Sequence, residues 1–241
     1  MQFPADTLVD PAPNEARQLA TLAADPADVK RALEDDIIFG RLAPGSRLIE
    51  DAVIARFGVT RHFVRQAFFD LERMGIVVRE RNKGISVRSL SVQEVQQVYE
   101  VRELLQRQAA LRIRLPAPAA LIDSLLRLHE RYGRCLRARD FRGVHEANDE
   151  FHLTLFSACG NPYLVESIKD YMWRTLPVRA KKTTDVEHAL SSEQQHALML
   201  RLLQGNDSWA LAQLCVDHLQ GPKDHYLRGA SFAAEQEATV R

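Results

Sequence analysis

The hydrophobic period of this chain changes near residue 90, and that change limits its fold more than any other feature. Before it, three short helical patterns lead into two β-type triplets; after it, every periodic stretch is helical. Val29, Leu33, Ile37 and Ile38 have helical spacing, and Gly40 with Pro44-Gly45 ends that helix in a turn. Ile49, Val53, Ile54 and Phe57 make a second short helix stopped by Gly58. Thr60 is suited to cap a third, from Arg61 to Met74, whose stripe of Val64, Ala67, Phe68, Leu71 and Met74 leaves Arg61, His62, Arg65 and Gln66 on the other face. Gly75 closes it. Ile76-Val77-Val78 and Ile85-Ser86-Val87 then flank Asn82-Lys83-Gly84, residues that a hairpin turn requires. Three helices with a tight turn between the second and third, followed by a β-hairpin, describe a winged helix-turn-helix.

Beyond Leu90, Ser91 with Glu94 forms a capping box that opens a long amphipathic helix to about Leu115. Pro116 and Pro118 break it and start another to about Arg139; Asp140 caps the next, which ends at Gly160-Asn161-Pro162. Further helices are expected at about 163–182, 187–204 and 207–228, with a kink at Gly221-Pro222. The expected fold is mainly α: a flexible segment over 1–25, a winged helix-turn-helix over 26–90, an antiparallel bundle of six to seven helices over 91–229, and a tail over 230–241.

Charge gives no global sign, because 32 Lys and Arg balance 32 Asp and Glu. Any affinity for nucleic acid must therefore be local. Residues 28 to 88 carry 12 basic against 9 acidic side chains, a net +3, with the acids expected on the first helix and the bases on the third helix and wing. Cys135, Cys159 and Cys215 lie far apart and read as small buried residues, not as a disulfide framework. An acidic N-terminus without an apolar core, and the lack of any apolar run of membrane-spanning length, point to a soluble cytoplasmic protein with no membrane partner.

In a winged helix-turn-helix the third helix enters the major groove, where its first side chains reach base edges, while the wing grips the neighbouring backbone or minor groove. Gly40-Arg-Leu-Ala-Pro-Gly-Ser-Arg-Leu48, Phe57-Gly-Val-Thr-Arg61, Val64-Arg65 and Leu71-Glu-Arg-Met-Gly-Ile76, in that order, closely resemble the GntR family of transcription regulators. The resemblance places Thr60, Arg61, His62, Phe63 and Arg65 where family members touch DNA, with Arg47 and the wing residues Asn82, Lys83 and Gly84 beside them. His62-Phe63 replaces a frequent Thr-Pro or Thr-Thr, and Asp51 stands where some members have an arginine on phosphate. Both departures imply a different operator preference.

Eight histidines are present, and Asn148, His152, His196 and His218 fall on three separate helices with the first two at i, i+4. Antiparallel packing can bring such residues to one cavity, where imidazoles and a side-chain oxygen suit a divalent transition metal; histidines that only line a polar pocket are the alternative. Val98-Tyr-Glu-Val-Arg102, Asn148-Asp-Glu-Phe-His152, Gly160-Asn161-Pro162, His196 and the stretch from Asp207 to His218 resemble the FadR-type branch of the same family. That resemblance implies an all-helical ligand-binding domain with Asn148, His152, His196 and His218 on a metal such as zinc, nickel or manganese. It also implies that Arg102 meets a carboxylate effector. Neutral Asn148 replaces a more usual carboxylate, with Asp149 as the alternative ligand, and Gln106 stands where many members have a glutamate. Arg102 lies on the apolar side of its helix and needs an anion, from a ligand or from a protein acid. Trp173, Tyr171 and Arg174 are candidates for the pocket wall, with aromatic packing as the alternative role of Trp173.

The expectation is a homodimeric repressor that binds double-stranded operator DNA and responds to a small anionic metabolite. A metal-dependent hydrolase would leave the wing without a role, and a protein-interaction scaffold would leave Arg61 and Arg65 idle.

Overall fold

The computed structural model describes residues 25–179 and 184–239, with side chains to residue 229. The flexible segment expected over 1–25 falls almost wholly outside the described residues. Helix α1, Pro26–Ile38, starts where the Asp25 side chain accepts from the amides of Ala27 and Asp28 and Pro26 occupies the first turn. Strand β1 is Arg47–Leu48, and α2, Glu50–Phe57, stops at Gly58 in the left-handed region at φ 64°. Helix α3, Arg61–Arg73, is capped by the Thr60 side chain, which accepts from the Phe63 amide. Strands β2, Val77–Glu80, and β3, Gly84–Val87, pair antiparallel with Val77 opposite Val87. Their turn holds Asn82 at φ 65°, a conformation Asn tolerates better than most residues.

The wing is a three-stranded sheet in the order β1-β3-β2, with Leu48 opposite Ile85, where the sequence indicated only a hairpin. A strand of two residues is too short to show a period, so pairing with β3 alone defines β1. Val29, Leu33, Ile37, Val64, Phe68, Leu71 and Val87 are almost completely buried and fill the centre of this unit.

The helical unit begins with α4, Val92–Leu111, whose Ser91–Glu94 capping box forms as expected. It ends before Leu115, and the turn to α5, Ala119–Arg137, is pinned where the Ala117 amide donates to the Leu203 carbonyl. Asp140 caps α6, Phe141–Ser157, and Asn161 caps α7, Pro162–Arg174. The helix expected over 163–182 breaks at Thr175, and α8 is Leu176–Arg179. Pro177 explains the break, since it has no N–H to donate and its ring opposes a preceding helical turn. Asp185 caps α9, Val186–Leu203; Asp207 caps α10, Ser208–Asp217; and α11 is Gln220–Thr239.

The second interruption lies at His218-Leu219 and not at Gly221-Pro222. Pro222 sits in the first turn of α11, where a missing N–H leaves no helical bond unmade. Because of these two breaks, the described residues after Leu90 hold eight helical elements in place of six or seven. Helix α11 runs to Thr239, through the stretch expected to be a tail. Leu125, Phe151, Leu155, Phe156, Met199 and Leu211 centre the bundle, and Cys159 and Cys215 are buried with it. Trp173 and Leu176 pack against the winged unit's core, so α7 and α8 join the two units.

Candidate functional site

The exposed face of α3 presents Arg61, His62, Arg65 and Gln66, while Phe63 is half-buried and Thr60 is exposed at the cap. Asn82, Lys83 and Gly84 form the exposed tip of the wing. Arg47 braces this tip, its Nε donating to the Lys83 carbonyl at 3.1 Å. The expected separation of acids from bases does not hold. Glu50 and Asp51, at the start of α2, pair with Arg61 and Arg65; Glu72 pairs with Arg79, and Glu80 with Lys83. Helix spacing could not reveal this, because α2 and α3 are brought together by the turn at Gly58 to Thr60. Arg41 and Arg56 both pair with the buried Asp36 and hold the turn after α1.

In the helical unit a cavity encloses about 740 Å³ of atom-free space, part of it open to solvent. Asn148 and His152 reach it from α6 one turn apart, Arg102 from α4, and His218 from the α10 end. His196 on α9 lies behind them, fully buried and stacked on Phe151 with ring centroids 4.3 Å apart. The Nε2 atoms converge: His152 to His218 is 3.0 Å, and His152 to His196 is 3.2 Å. His218 Nδ1 lies 2.6 Å from Gln195 Oε1, and since an amide oxygen only accepts, Nδ1 carries the proton and Nε2 has a free lone pair. Burial pushes His152 down to about 4 and holds His196 and His218 well below the ordinary imidazole value.

Neutral imidazoles with converging nitrogens are a ligand set. Ligands bound about 2.0 to 2.1 Å from one ion stand roughly 2.9 to 3.4 Å apart, depending on coordination geometry. The two separations from His152 fall in that range and the ligand atoms of all three histidines lie within 4.8 Å of one another, a spacing that fits a divalent transition metal. Asn148 commits its amide nitrogen to Asp149 Oδ1 at 3.1 Å, leaving the amide oxygen as the atom to offer a cation. Asp149, the alternative ligand, is otherwise engaged. Arg179 donates to both its oxygens at 2.8 and 3.2 Å, and His145 lies 3.6 Å away. Burial raises this carboxyl, but Arg179 and His145 outweigh burial and hold it well below the carboxylate range.

Arg102 is 4% exposed. Its Nη1 donates to Thr175 Oγ1 at 3.0 Å, its guanidinium lies 5.1 Å from the centre of the Tyr99 ring, and its Nε is buried without a hydrogen-bond partner. No ion pair joins it to an acid among the described residues, and burial lowers it to about 10. Gln106, one turn further along α4, also faces the cavity and is neutral. The expected wall differs. Met172 and Arg179 line the cavity, whereas Trp173 turns to the winged unit. Tyr171 and Arg174 are likewise not among the lining residues. Gln195 and Arg179 were missed in the sequence. Gln195 adjoins His196, but only the packing of α9 beside α10 shows that it orients His218.

A winged helix-turn-helix beside a helical domain with a polar, histidine-lined cavity is the architecture of a DNA-binding regulator. Residues 26–87 match the model described as bacterial regulatory proteins, gntR family, and residues 97–221 match the FCD domain. The chain belongs to the GntR family, with an FCD domain after its winged helix. It is 25% identical over 195 residues to the HTH-type transcriptional repressor RspR of Escherichia coli K12, spanning 80% of this chain and 84% of that one. It is 26% identical over 196 residues to the Nta operon transcriptional regulator of Aminobacter aminovorans, spanning 78% and 89%. A GntR regulator from Rhodococcus sp. RHA1 superposes with a TM-score of 0.67 at 24% identity, covering 84% of this chain and 97% of that one. Escherichia coli McbR/YncC gives 0.66 at 18% identity, covering 87% and 98%. The family and these relatives are transcriptional regulators, not enzymes. None of the described helices is long and apolar enough to cross a membrane.

Proposed function

We propose that this protein is a homodimeric repressor, acting in the cytoplasm, that binds a short near-palindromic operator and responds to a small carboxylate metabolite held beside a divalent metal. The DNA-binding unit spans 26–90 and the sensor 91–229. Thr60, Arg61, His62, Phe63 and Arg65 meet the major groove, with Arg47, Asn82, Lys83 and Gly84 supporting contact by the wing. One winged helix reads too few base pairs for useful specificity, and two-fold symmetry doubles the readout.

The observation that carries the sensing role is Arg102, a buried guanidinium that among the described residues has no acid partner, on the cavity that Asn148, His152 and His218 also line. A buried cation that the fold leaves uncompensated is costly unless a ligand supplies the anion, and a carboxylate can pair with it bidentately. His152, His196, His218 and the Asn148 oxygen would hold zinc, nickel or manganese. The ion would offer a Lewis-acidic point to which a ligand oxygen binds. Arg102 fixes the other end of such a ligand, and Gln106 and Tyr132 shape the space between.

The test combines a gel shift on fragments that include the gene's own upstream region with elemental analysis and mass spectrometry of the purified protein. A sequence-specific, salt-sensitive complex of two chains per site, together with bound metal and a weakly held acid, is the expected result. Protein that takes up no metal on titration would reduce the histidines to packing, and one chain per operator would remove the dimer.

A further inference from the structure

Glu50 and Asp51 open α2 and reach the first turns of α3. Glu50 Oε2 accepts from Arg61 Nη1 at 3.0 Å, and both Glu50 oxygens accept from Arg65 Nε at 3.1 Å. Asp51 Oδ1 accepts from Arg61 Nη2 at 2.6 Å. The two arginines are thus committed differently. Arg61 has both terminal nitrogens on acids, whereas Arg65 is held at Nε, and among the described residues its two Nη groups meet no acceptor.

A guanidinium clamped at Nε presents its Nη pair as a planar fork pointing away from the clamp. That fork matches O6 and N7 of guanine in the major groove. The Arg65 side chain is 63% exposed on the face of α3 opposite the core, while that of Glu50 is 25% exposed. Glu50 lies in the first turn of α2, where the helix dipole favours a carboxylate. The clamp is therefore the better fixed of the two partners.

We propose that Glu50 is a positioning residue for sequence readout: it aims Arg65 at one guanine of the operator, while Arg61, held at both ends by Glu50 and Asp51, does not read a base. This rests on the reading that α3 enters the major groove. An exposed ion pair adds little to folding, so removing the Glu50 carboxylate leaves the winged unit intact and alters what Arg65 can discriminate.

The experiment uses the full chain and a duplex that the wild-type protein enriches from a random pool. Each guanine is replaced in turn by 7-deazaguanine, which lacks the N7 acceptor. At one guanine the replacement should weaken wild-type binding about tenfold, within the range of a bidentate contact. Arg65→Ala should be insensitive there and Arg61→Ala fully sensitive. Glu50→Ala should lose most of the sensitivity, and Glu50→Gln, which keeps an acceptor oxygen, should retain part of it. A purely structural role would weaken binding to all duplexes alike and leave the tenfold ratio in place. Glu50→Ala with an unchanged ratio overturns the proposal while leaving DNA binding untouched. Failure of the wild type to enrich any duplex overturns the DNA-binding reading, and the proposal with it.

Discussion

Arg142 on α6 is ion-paired with Asp35 on α1, which ties the helix that carries Asn148 and His152 to the winged unit. Arg142 Nε also donates to Glu146 Oε1 at 3.1 Å, one turn along the same helix, so the side chain is held within the helical unit while it reaches Asp35. Burial raises the Asp35 carboxyl and Arg142 lowers it, with burial the larger effect.

A double-mutant cycle of Arg142→Ala and Asp35→Asn, measured by chemical denaturation, should give a coupling of about 1 kcal/mol or less. Zinc, by ordering the helix that carries Asn148 and His152, should change operator affinity, followed by fluorescence anisotropy with and without a chelator, and the same variants should flatten that change. Single variants that respond to zinc like the wild type would show that the pair does not transmit the signal.

Arg102→Met should raise the stability of the ligand-free protein by about 1 to 2 kcal/mol, because a buried guanidinium with no counter-ion among the described residues is replaced by an apolar chain of similar length. It should retain bound metal and lose affinity for acidic ligands, as read by calorimetry with a panel of carboxylates. A fall in stability instead would mean that the fold itself satisfies Arg102.

His196→Ala should lower metal content and abolish the rise in melting temperature on adding zinc, while DNA binding by the metal-free protein persists, since the winged unit has its own core. Elemental analysis, thermal denaturation and a gel shift separate the three effects.

Stability of the metal-free protein should fall on acidification. The folded state keeps His152, His196 and His218 neutral, with His152 at about 4, whereas unfolded histidine takes a proton near 6.5. Their contribution is therefore present above about 6.5 and is lost as pH falls from there toward 4, at up to about 1.4 kcal/mol per pH unit for each histidine. Denaturation midpoints from pH 7.5 to 5 check this, and a triple His→Gln variant should show a shallower slope.

Asn148→Asp should tighten zinc binding by adding an anionic ligand to the three imidazoles. The adjacent Asp149 opposes the new charge only weakly, because Arg179 already neutralises it. Titration against a competing chelator gives the ratio, and unchanged affinity would place residue 148 outside the ligand set.

Much of this fold is written in local chemistry. Gly58 and Thr60 bound α3, Ser91 with Glu94 starts α4, and Asp140 starts α6, because caps and turns act over a few residues and leave local patterns. The histidine set was legible as well, since His152 follows Asn148 by one helical turn and their family context names His196 and His218. Even the break at Thr175 had a local signal in Pro177. The strand Arg47–Leu48 had none, as two residues acquire a strand conformation only by pairing with β3.

What the sequence alone determined is therefore where the main helices and the hairpin lie along the chain and which residue types stand at each site. Tertiary structure decided which charges meet. Arg179 takes Asp149, Glu50 takes Arg61 and Arg65, and among the described residues no ion pair joins Arg102 to an acid. Partner choice depends on distances of a few ångströms between helices far apart in the chain, and no periodicity encodes these. Coulomb and desolvation energies change most over that range, so the chemistry of the cavity and of the α3 face follows from packing.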